Sequence, residues 1–420
     1  MAMEDIVVGR DPEDMEKYGK KGCIFVGKHI VGKGYEHHLT NPVLMDVLRP
    51  HIVLIVGKRG SGKSYTSAVI AEEIMKLPDE IKENLSCLMI DTMGIFWSMK
   101  NPNDKDLLLL NDWGLKPRGF EIKNIVPVGL TDFYDKSGIS YDGVFSIKPS
   151  ELSAGDWALT FDISLFDPLG ILLERVTKKL KGDYSIDDII DGIENDKRSE
   201  EKEKLALENR FMSAKGWGIF SEKATPIEEI LKPGLATVLD VSLQEWNVRN
   251  LMVGILSREI YQARVSARRE EELAIIGGEE IKKVPMTWII IDEVHNFIPD
   301  VGETAATHDM LTLIKQGRQP GISLVLITQR PNKLNETAIA QADMVISHRL
   351  TAKPDLEALS AIMQTYLLFD IRRSIGILPK SKGSAVILDD NSERLFNVQV
   401  RPRQSWHAGA SPLALKEKVT

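Results

Sequence analysis

The densest chemistry in the chain is the run "GKRGSGKSYTS" that begins at Gly57. It fits the spacing G-x-x-x-x-G-K-[ST] at Gly57, Gly62, Lys63 and Ser64, the pattern of a phosphate-binding loop. Glycines at 57, 60 and 62 let the backbone turn tightly, so that successive N–H groups converge on phosphate oxygens. Lys63 adds a compact positive charge for the β- and γ-phosphates, and Ser64 offers a hydroxyl to Mg2+. Gly57, Arg59, Gly60, Ser61, Gly62, Lys63, Ser64 and Tyr65 are therefore the candidate contacts to a nucleoside triphosphate. The flanks agree with this reading. "HIVLIVG" before the loop reads as a buried strand, and "YTSAVIAEEIMKL" after it as a helix whose positive N-terminal end faces the phosphates.

A second motif, "WIIIDEVHNF", supplies carboxylates. Its apolar residues predict a buried strand with Asp292 and Glu293 at the C-terminal end, where ligands bind in open α/β folds. Asp292 is expected to hold Mg2+ through a water, and Glu293 to orient and activate the attacking water. A third strand end, "SLVLITQRP", carries Gln329. A strand between those of the loop and of Asp292 brings Gln329 within reach of the γ-phosphate, where it would sense the presence of that group. The stretch "PNKLN" has Asn335 where a guanine-reading motif requires Asp, so ATP is the expected nucleotide. There is no L-S-G-G-Q stretch, which argues against transporter-type ATPases.

The elements needed to hold these residues are legible as an alternation. Strands are predicted at 52–56, 87–91, 158–163, 236–241, 287–292, 323–328 and 344–350, with a late pair in "SAVILDD" and "RLFNVQV". Several are apolar throughout, which suits a parallel sheet buried on both faces. Helical patterns between them make the fold class α/β: a RecA-like P-loop core, mostly parallel sheet flanked by helices, with a helical insertion. Residues 1–50 read as a short leader, with a hairpin or barrel remnant in "GCIFVGKHIVGKG". The core is expected over 51–167 and 233–409, the helical insertion over 168–232 and a tail over 410–420. Residues 93–157 read as loops with short strands, and 268–283 as a surface hairpin or loop with a glycine pair at its tip.

Composition narrows the classes further. With 43% hydrophobic and 27% charged residues in 420, the chain reads as globular. No apolar run approaches the ~20 residues of a spanning helix, and the acidic N-terminus does not read as a signal peptide. Cys23 and Cys87 make neither a disulfide framework nor a zinc site, so a cytoplasmic location is expected. A net charge of −8 argues against a protein that coats nucleic acid, but not against a motor with locally basic loops. Lys100, Lys105, Arg372 and Arg373 are basic residues near polar loops.

Taken in order, "GKRGSGKS", "WIIIDEVHNF" and "QGRQPGISLVLITQRP" resemble the HerA–FtsK group of P-loop motors, and HerA-type DNA translocases most closely. The stretches 231–261, "LPKSKGSAVILDD" and "VRPRQSWHAG" are similar to HerA segments, so the resemblance runs over about residues 48–409. It implies a hexameric ring around double-stranded DNA with ATP hydrolysis driving translocation, often alongside a partner nuclease in end processing. It also implies an arginine donated by the neighbouring subunit. Arg318 in "QGRQPG" matches that position, with Arg330 as the second candidate. About 50 residues before the motor are too few for the full barrel with which HerA proteins usually begin. The same motifs fit an ATPase subunit of a defence or restriction complex acting on a partner effector, a membrane-anchored pump, or a non-motor regulatory ATPase.

Overall fold

The computed structural model describes residues 5–33, 36–278, 284–362 and 370–409. Strands β1 (Ile6–Val8), β2 (Cys23–Lys33), β3 (Glu36–Asp46), β4 (Ile52–Val56), β5 (Leu85–Asp91), β6 (Ile122–Pro127) and β7 (Gly143–Phe145) form in the first third of the chain. They are followed by β8 (Ala236–Asp240), β9 (Met286–Ile291), β10 (Ile322–Thr328), β11 (Met344–His348), β12 (Ser384–Asp389) and β13 (Arg394–Val400). All join one 13-stranded sheet in the order β1-β3-β2-β13-β12-β11-β4-β10-β9-β5-β8-β6-β7. From β11 to β7 every neighbouring pair is parallel. From β11 through β12, β13, β2 and β3 the pairs are antiparallel, and β1 closes that end parallel to β3.

The strand before the loop, β4, is apolar throughout because both faces of the sheet are covered. Along β4, Val53 and Ile55 enter one core with Ala68, Ile70 and Ile74 of the helix Lys63–Met75. Ile52, Leu54 and Val56 enter the other, with Leu251, Met252 and Ile255 of the helix Trp246–Gly277. Alternate side chains of a strand point to opposite faces, so five consecutive apolar residues serve two layers.

Three expectations are corrected. Residues 158–163 are not a strand; Ala154–Phe161 is a helix, opened by a capping box between Ser153 and Asp156. Trp157 and Phe161 lie one helical turn apart and stack with ring centroids 5.4 Å apart, and both pack on Phe211 of the helix Glu201–Lys215. Residues 268–277 are not a hairpin arm, because the helix from Trp246 runs unbroken for 32 residues to Gly277. Arg268 pairs with Glu271 and Glu272 at helical spacing and supports that last stretch, which ends at Gly278 in the left-handed conformation. The expected tip beyond it, 279–283, lies outside the described residues, as does the tail 410–420. Finally, the stretch 1–50 is more than a leader. Its β2–β3 hairpin docks on β13 and extends the main sheet. Residues 168–232 contain the helices Pro168–Lys179, Ile186–Glu194 and Glu201–Lys215.

Candidate nucleotide site

The C-terminal ends of β4, β10 and β9 carry the loop, Gln329 and the acidic pair side by side. β10 lies between the other two, with Thr328 opposite Val56 and Leu326 opposite Ile291. This register sets Gly57, Asp292 and Gln329 at one edge of the sheet. Close approach explains the first glycine: a Cβ at Gly57 would sit 2.5 Å from Ser61 Oγ and 2.7 Å from His348 Cβ. Gly62 caps the helix Lys63–Met75 with φ 116°, a conformation that L side chains rarely adopt.

Lys63 is buried, with the Lys58 carbonyl 3.4 Å from its Nζ. Burial lowers its pKa, against the charges of Glu293 and Asp292, which raise it. Ser64 Oγ donates to Asp292 Oδ2 at 3.0 Å, and Asp292 Oδ1 accepts the Glu293 N–H at 2.9 Å. Asp292 is 2% exposed; burial raises its pKa, opposed by the Ser64 hydrogen bond and the charge of Lys63. A hydroxyl and a carboxylate in direct contact at the helix N-terminus are the hard oxygen donors that Mg2+ takes, so the residues present fit that ion.

Glu293 leaves β9 in the left-handed region, φ 50° and ψ 44°. For a non-glycine residue this costs about 1 kcal/mol or more and is characteristic of functional sites. Burial and the adjacent Asp292 raise its pKa, while Lys63 and hydrogen bonds from the Gln329 backbone and side chain lower it. Glu293 and Gln329 thus lie close together, on neighbouring strand ends.

Some candidates sit elsewhere. The Tyr65 hydroxyl accepts the Arg403 N–H at 2.6 Å and its ring meets His407 edge-on at 5.6 Å, so its side chain serves the C-terminal stretch and leaves only its main chain beside the loop. Arg59 is exposed at the loop tip, and Ser61 Oγ donates to the Lys58 carbonyl at 2.7 Å. Arg318 lies before β10, at the opposite edge of the sheet from its own loop. It donates to the Gln341 carbonyl at 2.7 Å and lies 3.7 Å from Asp343, with its side chain 44% exposed. Arg330 is exposed at the site edge. Lys100 is ion-paired to Asp142 at 2.7 Å, and the side chains of Arg372 and Arg373 lie outside the described residues.

Sequence reasoning missed several residues around the site. His295 Nδ1 stands 3.0 Å from Thr328 Oγ1, and burial together with Arg330 and Lys63 lowers its pKa. His348 supports the loop from behind: Nε2 is 2.9 Å from Thr66 Oγ1, and Nδ1 donates to the Ser384 carbonyl at 3.1 Å. Burial pushes its pKa down to about 4. Glu72 on the loop's helix accepts from Ser405 Oγ at 2.6 Å and pairs with Arg401 at 2.8 Å, all three fully buried. For His295 the signal was its place two residues after Glu293; the other partners are too distant in sequence to be paired by eye.

Residues 24–260, over half of the chain, match the sequence profile described as "Helicase HerA, central domain". The chain belongs to that family. It is 30% identical over 176 residues to the DNA double-strand break repair helicase HerA of Pyrococcus furiosus, covering 38% of this chain and 31% of that protein. Against the protein of the same name from Sulfurisphaera tokodaii it is 21% identical over 407 residues, 96% of this chain and 74% of the relative. This HerA-family chain therefore spans less than two thirds of the first of these relatives. Among solved structures it resembles VirB4 of Thermoanaerobacter pseudethanolicus, with TM-score 0.51 and 13% identity over 90% of this chain and 97% of that one. The bacterial conjugative coupling protein TrwBΔN70 gives the same TM-score, 0.51, at 12% identity, covering 86% of this chain and 88% of that one. At such identities the likeness is one of fold, the RecA-like P-loop core. Among the described residues no helix is long and apolar enough to cross a membrane.

Proposed function

We propose that this HerA-family chain hydrolyses ATP and uses the energy to move on double-stranded DNA as a ring, a hexamer by analogy with the family, in DNA end processing or repair. The observation that carries the reading is the meeting of Ser64, Asp292, Glu293 and Gln329 at one sheet edge beside Lys63. The loop N–H groups and Lys63 hold the β- and γ-phosphates. Ser64, and Asp292 through a water, would hold Mg2+, which would supply Lewis-acid stabilisation of charge on the phosphate oxygens.

Glu293, with its pKa raised by burial, accepts a proton from the attacking water as the water oxygen bonds to the γ-phosphorus and the bond to the β-phosphate oxygen breaks. Gln329 fixes the carboxylate and reads the third phosphate. Arg318 of a neighbouring subunit stabilises charge on the γ-phosphate, since its own loop is at the far edge of the sheet. Its half-exposed guanidinium, with one nitrogen engaged, supports that assignment. In this reading 51–167 and 233–409 form the motor, and 168–232 is an insertion on it. A nuclease or other effector is the expected partner, and the names of the Pyrococcus and Sulfurisphaera relatives favour DNA repair as the setting.

Nucleotide binding and steady-state hydrolysis in two variants test the site. Lys63→Ala is expected to lose most nucleotide affinity. Glu293→Gln is expected to keep affinity while turnover falls by about 10²-fold or more; normal turnover in Glu293→Gln contradicts the assignment.

A further inference from the structure

The left-handed turn at Glu293 sends the next residues, the short 3-10 segment Val294–Asn296, back over the end of β10. His295 is thereby placed between two groups. Its Nδ1 lies 3.0 Å from Thr328 Oγ1 and 3.4 Å from Glu293 Oε2. That carboxylate oxygen is buried and has no well-formed hydrogen bond. Thr328 Oγ1 already accepts the Arg330 N–H at 3.0 Å, which fixes the hydroxyl oxygen to the turn after β10. We infer that His295 is a positioning residue for Glu293: its Nδ1–H links the carboxylate to Thr328, so that the aim of the base follows the position of the β10 end.

The inference rests on the reading of Glu293 as the base, and it gives the Gln329 strand a second path to it. Gln329 lies near the carboxylate on the neighbouring strand end; His295 adds a contact through the residue just before Gln329. A displacement of β10 therefore moves both supports of Glu293 together. A ring that only filled space would need no nitrogen at the Nδ1 position, and this distinguishes the two roles.

The test compares wild type with His295→Ala, His295→Phe, His295→Asn and His295→Gln, each checked for wild-type-like thermal unfolding. Asparagine places its amide nitrogen where Nδ1 stands, whereas glutamine reaches toward the Nε2 position. Ala and Phe are expected to lower kcat about 10- to 100-fold, the effect of a misaimed catalytic group. KM for ATP and affinity for a non-hydrolysable ATP analogue stay within about twofold, as for a group that acts in the transition state alone. Asn recovers most of kcat and Gln does not. Thr328→Val combined with His295→Ala costs less than the sum of the two single changes, because they break the same link.

Wild-type kcat in His295→Phe, or Asn no better than Gln, overturns the positioning role. So does an affinity loss that tracks the rate. If Ala or Phe fails to fold, the Asn and Gln pair decides. A wild type with no turnover refutes the hydrolytic reading and the positioning role with it, whereas turnover indifferent to His295 refutes only the latter.

Discussion

The residues of the site divide by how far their chemistry reaches. In the proposed site Lys63, Ser64, Asp292, Glu293 and Gln329 would act within one subunit, because the register of β4, β10 and β9 brings them to one edge. Arg318 cannot do so. It stands at the start of β10, a strand of seven residues and so roughly 23 Å from the edge where the loop lies. The shared-site reading predicts that Arg318→Ala lowers turnover by about 10³-fold while sparing nucleotide affinity. It also predicts that mixing Arg318→Ala chains with inactive Lys63→Ala chains restores activity, since some sites then combine an intact loop with an intact arginine. No recovery in that mixture, with recovery when Arg330→Ala replaces Arg318→Ala, transfers the role to Arg330. The loop and the acidic pair were legible in the sequence because each motif is contiguous and its residue types admit few other uses. His295 and His348 were not, since their meaning lies in Thr328 and Thr66, contacts that only the assembled sheet creates.

At the scale of elements, the antiparallel end of the sheet is fastened to the parallel half by a buried ionic cluster. His51, just before β4, has Nδ1 2.7 Å from Asp343 Oδ2 and Nε2 3.3 Å from Asp46 Oδ2. Asp46, at the end of β3, also pairs with Arg10, and Asp343 Oδ1 accepts the Ile52 N–H at 2.7 Å. Burial alone would lower the His51 pKa, but the hydrogen bonds and charges of Asp343 and Asp46 outweigh it and raise the value to about 9. Because this lies above the ordinary 6.5 of an unfolded chain, the stabilisation is complete below about pH 6.5 and is lost as pH rises through about 9. Its full size is on the order of 3 kcal/mol. Urea unfolding at about pH 6 and about pH 9.5 is expected to show the advantage of wild type over His51→Asn shrinking by that order. An advantage independent of pH contradicts a charged His51.

The same scale shows why some elements misread. The apolar run at 158–163 is too short for periodicity to separate strand from helix, and the capping box at Ser153 decided it. The glycine pair at 277–278 ends a helix instead of turning a hairpin, because the charged residues before it pair at helical spacing. The parallel strands were recoverable because a short run that is apolar at every position suits a strand covered on both faces, and β4, β5, β8 and β10 are buried at every residue.

For the whole molecule, one sheet carries the candidate nucleotide site at the strand ends of its parallel half and the β2–β3 hairpin at its antiparallel end. A net charge of −8 means that contact with DNA must come from local basic groups, so any DNA effect should weaken as salt rises. The most direct test of the proposed motor is steady-state ATP hydrolysis by the whole chain with and without linear double-stranded DNA, using Glu293→Gln as the blank. A DNA-driven motor is expected to show several-fold stimulation by DNA that fades with added salt and is absent in Glu293→Gln. Hydrolysis by the wild type that is the same with and without DNA contradicts it.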